Sequence, residues 1–262
     1  MPEYISSLQN PKIKHAVRLL EKASERKSQN LTVVEGEREI GLAVRAECRI
    51  ETLFICRDLY GQPPGLAVAE DTVLEVSKAV FDKLAYRENR DGLIALIEPK
   101  KISLSEIELR TNPFIIVLES VEKPGNLGAV LRTADAARVD AVLICDPQTD
   151  LYNPNVIRSS IGCLFSNQVV VCTSDGAIAW LREKQIRTHA AALTATDFYH
   201  KTDFTQPSAI VMGTEAFGLS DKWLREADTQ IKIPMRGQID SLNVSASTAI
   251  LVFEAMRQRG FQ

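Results

Sequence analysis

Long hydrophobic runs are missing from this 262-residue chain. The apolar stretches, such as 114–118, fall far short of the roughly 20 residues that cross a bilayer, so no membrane-spanning helix is expected. No basic stretch followed by an apolar one opens the chain at Met1-Pro2-Glu3-Tyr4, and a secretory signal is not expected. Histidine is scarce: His15, His189 and His200 are the three. None has a second ligand at zinc spacing, and no carboxylate cluster points to another metal. The five cysteines, Cys48, Cys56, Cys145, Cys163 and Cys172, contain no Cys-x-x-Cys pair. An odd, scattered set, mostly inside apolar runs, fits reduced thiols in a cytoplasmic core.

The common nucleotide fingerprints are also missing. Gly213-x-x-x-x-Gly218 has the glycine spacing of a phosphate-binding loop, but Leu219-Ser220 stands where Lys-Ser/Thr is required. No Gly-x-Gly-x-x-Gly follows an apolar run, which argues against a nicotinamide or flavin site. No serine, histidine and aspartate set has a recognisable nucleophile elbow. What remains is ordinary globular material: 45% hydrophobic and 25% charged residues. The formal charge of −3 is unevenly spread. Between residues 10 and 30, Lys12, Lys14, Arg18, Lys22, Arg26 and Lys27 face only Glu21 and Glu25, a net of +4 that leaves −7 elsewhere. Such a patch fits either a nucleic-acid footprint or a solvated helix face, and charge alone favours the second.

Alternation of apolar runs with helical patterns predicts an α/β protein. Asn10-Pro11 predicts a capped helix with Ile13, Val17 and Leu20 on its packing face. Strands are expected at 31–35, 50–56, 72–76 and 92–97, with helices opened by Gly36 and over 78–86. These make a small N-terminal α/β domain over residues 1–98. Residues 99–113, bracketed by Pro99 and Pro113 and mostly polar, read as a linker. Residues 114–262 then carry strands at 114–118, 141–145, 168–172, 187–193 and 209–212. Helices are expected at 126–139, 154–162 and 175–184, with a loop at 194–206. That order implies a mostly parallel sheet with helices on both faces, whose ligands bind at the carboxyl ends of the strands. Asn126 sits where the cap of the first of these helices belongs. Arg132 lies off its apolar stripe of Leu127, Val130, Leu131 and Ala134.

Three segments carry a family resemblance. Asn126-Leu127-Gly128-Ala129-x-x-Arg132-Thr133-Ala134, then Gly213-Thr214-Glu215-x-x-Gly218-Leu219-Ser220, then Ile233-Pro234-Met235 followed by Ser241-Leu242-Asn243-Val244-Ser245 occur in this order. They resemble the three motifs of the SpoU/TrmH family of RNA ribose methyltransferases. Leu151-Tyr152-Asn153-Pro154-Asn155-Val156-Ile157-Arg158-Ser159-Ser160-x-Gly162 is similar to that family between its first two motifs. Ser7-x-x-Asn10-Pro11-x-Ile13-Lys14 and Val34-Glu35-Gly36-x-Arg38 resemble the small RNA-binding domain of the rRNA-directed branch. Arg138 stands where the family has glycine at the end of the first helix, which bears on a helix cap more than on chemistry.

The resemblance implies a C-terminal trefoil knot, a homodimer and S-adenosylmethionine as methyl donor, with no metal. It places the cofactor against Leu193, Thr194, Gly213, Ile233, Pro234, Met235 and Leu242. It gives catalytic positions to Arg132, Asn126, Asn243, Ser245 and Glu215. Arginine does not readily give up its proton, so Arg132 suits stabilising alkoxide charge and holding a phosphate. Asn126, Asn243 and Ser245 suit holding Arg132 and the ribose, and Glu215 suits ordering loops or pairing with a cation. Lys12, Lys14, Arg18, Arg38 and Arg158 are the candidates for RNA phosphate contacts. The implied reaction is methylation of a ribose 2′-hydroxyl of large-subunit rRNA. The alternatives are tRNA, or a non-catalytic RNA-binding or ribosome-assembly factor on the same scaffold.

Overall fold

A computed structural model describes residues 2–61, 65–66, 68–86 and 91–261. The chain divides into two compact units, Met1–Lys100 with Asp150–Ser166, and Lys101–Thr149 with Asn167–Gln262.

The first unit begins with β1 (Glu3–Ile5), α1 (Pro11–Glu21), α2 (Ala23–Gln29), β2 (Thr32–Glu35) and α3 (Glu37–Arg45). It continues with β3 (Arg49–Ile55), β4 (Val73–Val76), α4 (Lys78–Leu84) and β5 (Leu93–Glu98). Its sheet runs β1-β4-β3-β5-β2 and is mixed: β4 is parallel to β1 and β3, and β5 is antiparallel to β3 and β2. Asn10 caps α1, its side chain accepting from the Lys12 amide at 2.9 Å, and Pro11 takes the first helical position. The face of α1 that enters the core is Ile13, Ala16 and Leu19, with Val17 and Leu20 at its margin. Ile13 is buried as expected, while Ala16 and Leu19 take the buried places expected for Val17 and Leu20. Arg26 leaves the expected basic patch altogether. It is buried, donates to the Leu19 and Leu20 carbonyls, and pairs with Asp150 at 2.7 Å.

The second unit follows with β6 (Phe114–Glu119), α5 (Pro124–Ala136) and β7 (Ala141–Cys145). The next helices, α6 (Pro154–Ser159) and α7 (Cys163–Ser166), group with the first unit, where α6 packs on β2 and α7 on α3. The second unit resumes with β8 (Val169–Cys172), α8 (Ser174–Glu183), β9 (Arg187–Ala191), β10 (Asp197–Phe198) and β11 (Ser208–Met212). It closes with α9 (Asp221–Glu226), β12 (Thr229–Lys232) and α10 (Val244–Gln258). Its seven-stranded sheet runs β10-β12-β9-β11-β6-β7-β8, and every pairing is parallel. β6, β7 and β11 are buried at every residue. This is what central parallel strands covered on both faces require.

Three local expectations change. Residues 194–206 contain β10 and a 3-10 turn at Tyr199–Lys201, not only loop. Part of the stretch expected as linker packs onto the second unit, where Ile102, Leu104, Ile107 and Leu109 rest on the core. Helix α5 starts two residues early. Lys123 is its N-cap residue and Pro124 its first residue, so Asn126 lies inside the first turn and caps nothing. Proline's fixed φ and missing amide hydrogen suit it to that first position. Among the described residues, no helix is long and apolar enough to cross a membrane.

One buried carboxylate clamps the entry to β6. Asp140 accepts from the Phe114 amide at 2.8 Å and from the Arg110 side chain and amide. Burial pushes its pKa up, but these donors outweigh burial and hold it below the usual carboxylate value.

Candidate active site

Strand order reverses between β6 and β11, since β7 and β8 lie on one side and β9, β12 and β10 on the other. The loops leaving the carboxyl ends of two adjacent strands at such a switch point form a natural crevice. Here they are residues 120–123 and 213–220.

The second loop is closed on itself. Thr214 and Gly218 exchange backbone hydrogen bonds of 3.0 and 3.1 Å. Gly218 sits at φ +68°, a left-handed conformation that suits glycine. A Cβ on Gly213 would lie 2.2 Å from the Gly218 carbonyl, so only glycine fits there. The tight turn sends Glu215 toward the start of α5. Its Oε1 accepts from Nδ2 of Asn126 at 2.8 Å and from Nδ2 of Asn243 at 2.5 Å, and Lys123 pairs with Oε2. The Lys123 hydrogen bond first, and then that from Asn126, holds the Glu215 pKa below its ordinary value.

Asn243 is the N-cap of α10. Its Oδ1 accepts from the Ser245 amide at 3.0 Å and from the Ser245 hydroxyl at 2.6 Å. A backbone amide can only donate, which fixes that atom as oxygen and turns the amide nitrogen toward Glu215. A directed chain results, from the Ser245 hydroxyl through Asn243 to Glu215. Asn126 joins through Glu215 and through its own Oδ1, which accepts from Asn243 at 3.1 Å.

Beside this hub lies a cleft of about 350 Å³ at the ends of β9, β11 and β12. Leu193, Thr194, Gly213, Ile233, Met235 and Leu242 line it, and so does Glu215. Pro234 does not. Leu193, Phe217 and Leu242 are exposed along the cleft, 59%, 88% and 37% respectively. Apolar side chains left open around one cleft mark a ligand surface. A larger hollow of about 530 Å³ beside Val170, Val171 and Trp180 contains none of the motif residues.

Arg132 is exposed on α5 and, among the described residues, has no hydrogen-bond or ion-pair partner. The asparagines expected to hold it bond to Glu215 instead. Six residues separate Arg132 from Asn126, about 9 Å along the helix and about a third of a turn round it. The other expected RNA contacts lie in the first unit. Lys12 pairs with Glu3 at 2.8 Å, while Lys14, Arg18 and Arg38 are exposed. Arg158, on α6, holds its guanidinium over the ring of Tyr86. Sequence reasoning missed Lys123, Phe217, Lys232 and Ser247. Lys123 carried a signal, because a proline at the first helical position makes its predecessor the cap. No group of three or more His, Cys, Asp or Glu that could hold a metal occurs among the described residues.

Fold and site together define an α/β protein with a nucleoside-sized cleft and a charged hub at a sheet switch point. The chain belongs to the SpoU rRNA Methylase family, which it matches over residues 113–253. Residues 10–95 match the MRM3-like substrate binding domain. Among relatives, the 23S rRNA (guanosine-2′-O-)-methyltransferase RlmB of Pasteurella multocida is 35% identical over 72% of this chain and 80% of its own. A solved RNA 2′-O ribose methyltransferase is 40% identical, covers 98% of this chain and 99% of its own, and superposes with a TM-score of 0.84. An AdoMet-bound rRNA methyltransferase from Sinorhizobium meliloti is 28% identical over 97% of both chains, with a TM-score of 0.89.

Proposed function

We propose that this protein transfers a methyl group from S-adenosylmethionine to a ribose 2′-hydroxyl of RNA, with large-subunit rRNA as substrate. The observation that carries the reading is the junction of cleft and hub at Glu215, which lines the first and organises the second. The cleft suits the cofactor in volume and lining, and the close turn at Gly213 brings backbone to its wall, where an adenine edge would lie. Leu193, Ile233 and Leu242 would hold the base, with Thr194, Met235 and the Gly213 turn around the rest. When bound, S-adenosylmethionine supplies an electrophilic methyl on a positively charged sulfur.

The residues of this chain then have an attacking hydroxyl to align and activate. Glu215 is a poor base, because it already accepts from two amides and an ammonium and its pKa is lowered. Its role is to lock the loop to α5 and α10. Ser245 commits its proton to Asn243, so the oxygen offers only lone pairs outward. That orientation suits it to accept from the ribose 2′-hydroxyl. Arg132, cationic and unengaged, stabilises negative charge developing on the ribose oxygen and holds the neighbouring phosphate. As the ribose oxygen bonds to the methyl carbon and the carbon–sulfur bond breaks, the 2′-proton leaves Ser245 for a phosphate oxygen or water, which takes it.

The reading includes the family's knot through the 213–220 and 235–243 segments, which the Glu215–Asn243 bond draws together. It also includes a homodimer, supported by Phe253 and Phe261 left exposed on and just after α10. A reducing cytoplasm is supported by five free cysteines. The decisive experiment incubates the protein with methyl-labelled S-adenosylmethionine and purified 23S rRNA, 16S rRNA or tRNA, then maps the 2′-O-methyl position. Transfer to 23S rRNA at one nucleotide is the expected result. Calorimetry showing no cofactor binding, with no transfer to any RNA, overturns the reading.

A further inference from the structure

Tyr86 and Arg158 are 72 positions apart and belong to the same unit. The Arg158 guanidinium lies 5.3 Å from the centroid of the Tyr86 ring. Both side chains are exposed, the tyrosine by 53%. An aromatic ring so open is ordinarily free to turn, but here the backbone of the residue is tied down and its ring carries a cation. Its backbone amide donates to Oε2 of Glu35 at 2.8 Å, and its ring carries the guanidinium. The guanidinium in turn donates to Oδ1 of Asn155 at 3.0 Å, on the turn that starts α6. Ordering of two long side chains has therefore occurred before any ligand arrives, which lowers the cost of binding. The recess beneath, floored by Leu20, Leu84, Pro154 and Ile157, has only about 10 Å³ of free volume. It cannot enclose a ligand, so recognition falls to the outward surface of the pair.

We propose that Tyr86 and Arg158 form a preset platform on which one unpaired RNA base stacks while the guanidinium holds its phosphate. This rests on the RNA reading above and adds a contact to it. A ring with a guanidinium held over one face leaves its uncovered π surface to a base and the cation to the phosphate. A paired duplex buries its base faces and offers only the phosphate, so the platform distinguishes single-stranded from double-stranded RNA.

The test uses the full-length protein with a short fluorescein-labelled RNA of mixed sequence, single-stranded or annealed to its complement. Affinity is measured over a range of salt. Tyr86→Ala and Tyr86→Leu are each expected to raise the single-strand Kd about tenfold, with the duplex Kd and the salt slope unchanged. Tyr86→Phe keeps the parental affinity. Arg158→Ala weakens single-strand binding and lowers the salt slope by about 0.7, one phosphate contact. Melting temperatures confirm folding, and the leucine variant serves if the alanine variant fails to fold. Parental single-strand affinity in Tyr86→Leu, equal losses for single strand and duplex, or a parent that binds no single-stranded RNA overturns the platform. Binding of a protein partner but not RNA through this pair overturns it as well. Methyl transfer is read on the same preparations. A parent that binds single strands through Tyr86 yet transfers no methyl refutes the function and leaves the platform standing.

Discussion

Asn126 and Asn243 lie 117 residues apart, yet Nδ2 of Asn243 is 3.1 Å from Oδ1 of Asn126, and both side chains donate to the same oxygen of Glu215. One carboxylate thus fixes the first turn of α5 against the cap of α10. Glu215→Gln keeps the shape but puts an amide against Lys123 and replaces a charged acceptor with a neutral one. Methyl transfer is expected to fall about tenfold or more. Adding Lys123→Met removes the opposed donors, so the double variant transfers no worse than Glu215→Gln. A double variant whose losses multiply contradicts the shared hub. The Glu215 pKa is lowered and the Lys123 pKa is raised by their pairing, so the pair stays charged across the neutral range. Its contribution is present between the ordinary carboxylate and ammonium pKa values, and is lost in acid as pH falls through the lowered Glu215 pKa and in base as pH rises through the raised Lys123 pKa. No limb of the pH–rate profile between about pH 6 and 9 should respond to Glu215→Gln.

Arg132 does not line the cofactor cleft. Arg132→Ala should therefore leave the S-adenosylmethionine Kd unchanged by calorimetry while lowering the transfer rate about 10²- to 10³-fold. Arg132→Lys keeps the charge but loses the planar fork, and should recover only part of the rate. Near-parental turnover in the alanine variant removes Arg132 from the mechanism.

Two glycines separate close approach from mere flexibility. On Gly213 a Cβ would meet the Gly218 carbonyl carbon and oxygen at 2.2 Å and the Leu219 amide at 2.4 Å, all backbone and unable to yield. Gly213→Ala should cost about 1–3 kcal/mol of stability and abolish cofactor binding. On Gly125, in the first turn of α5, a Cβ would meet nothing within 4 Å among the described residues. Gly125→Ala should be neutral or stabilising by up to about 1 kcal/mol in urea unfolding. Equal effects of the two would refute the packing argument.

Much of the second sheet is legible because 114–118, 141–145 and 209–212 are near-continuous apolar runs, the pattern of strands buried on both faces. β10 is not legible, since two residues carry no period. Asn126 was misread because Asn is the better cap by type, whereas Pro124 claims the first helical position. The role of Arg26 depends on Asp150, 124 positions away, and no local pattern distinguishes it from its solvated neighbours. The hub is hidden for the same reason. Glu215 lies 89 residues from Asn126 and 28 from Asn243, and only the fold brings them together. Motif residues were therefore findable as a set, but which of them touch was not.

Arg138 adopts φ +50° just past the end of α5, where its amide and that of Val139 close the helix onto Asp135 and Ala134. A side chain in the left-handed region is strained, and glycine is the residue that ordinarily ends a helix this way. Arg138→Gly should stabilise the protein by up to about 1 kcal/mol in urea unfolding, less the extra freedom it gives the unfolded chain. The Arg138 carbonyl still accepts from Arg110 in the variant, since that bond is to backbone. Destabilisation beyond 1 kcal/mol would mean that the arginine side chain has a packing role.

His189, on β9, is 1% exposed. Its Nδ1 lies 2.7 Å from the Thr229 hydroxyl, its ring meets Phe204 edge-on at 5.0 Å, and its buried Nε2 has no hydrogen-bond partner among the described residues. Burial first, and then nearby Arg187, depresses its pKa to about 4, while Asp228 and Asp203 pull the other way. In the unfolded chain the imidazole titrates near 6.5. The neutral ring is what the core accepts, so its contribution to stability is complete above about pH 6.5 and fades as pH falls toward 4. By pH 4.5 the loss should reach about 2–3 kcal/mol. Asn at this position can still reach Thr229 but does not ionise. Urea unfolding of the parent and of His189→Asn at pH 7 and 4.5 compares the two slopes. The parent should lose about 2–3 kcal/mol more than the variant over that interval. Parallel losses would show that the acid sensitivity of the fold lies in its carboxylates and not in this histidine.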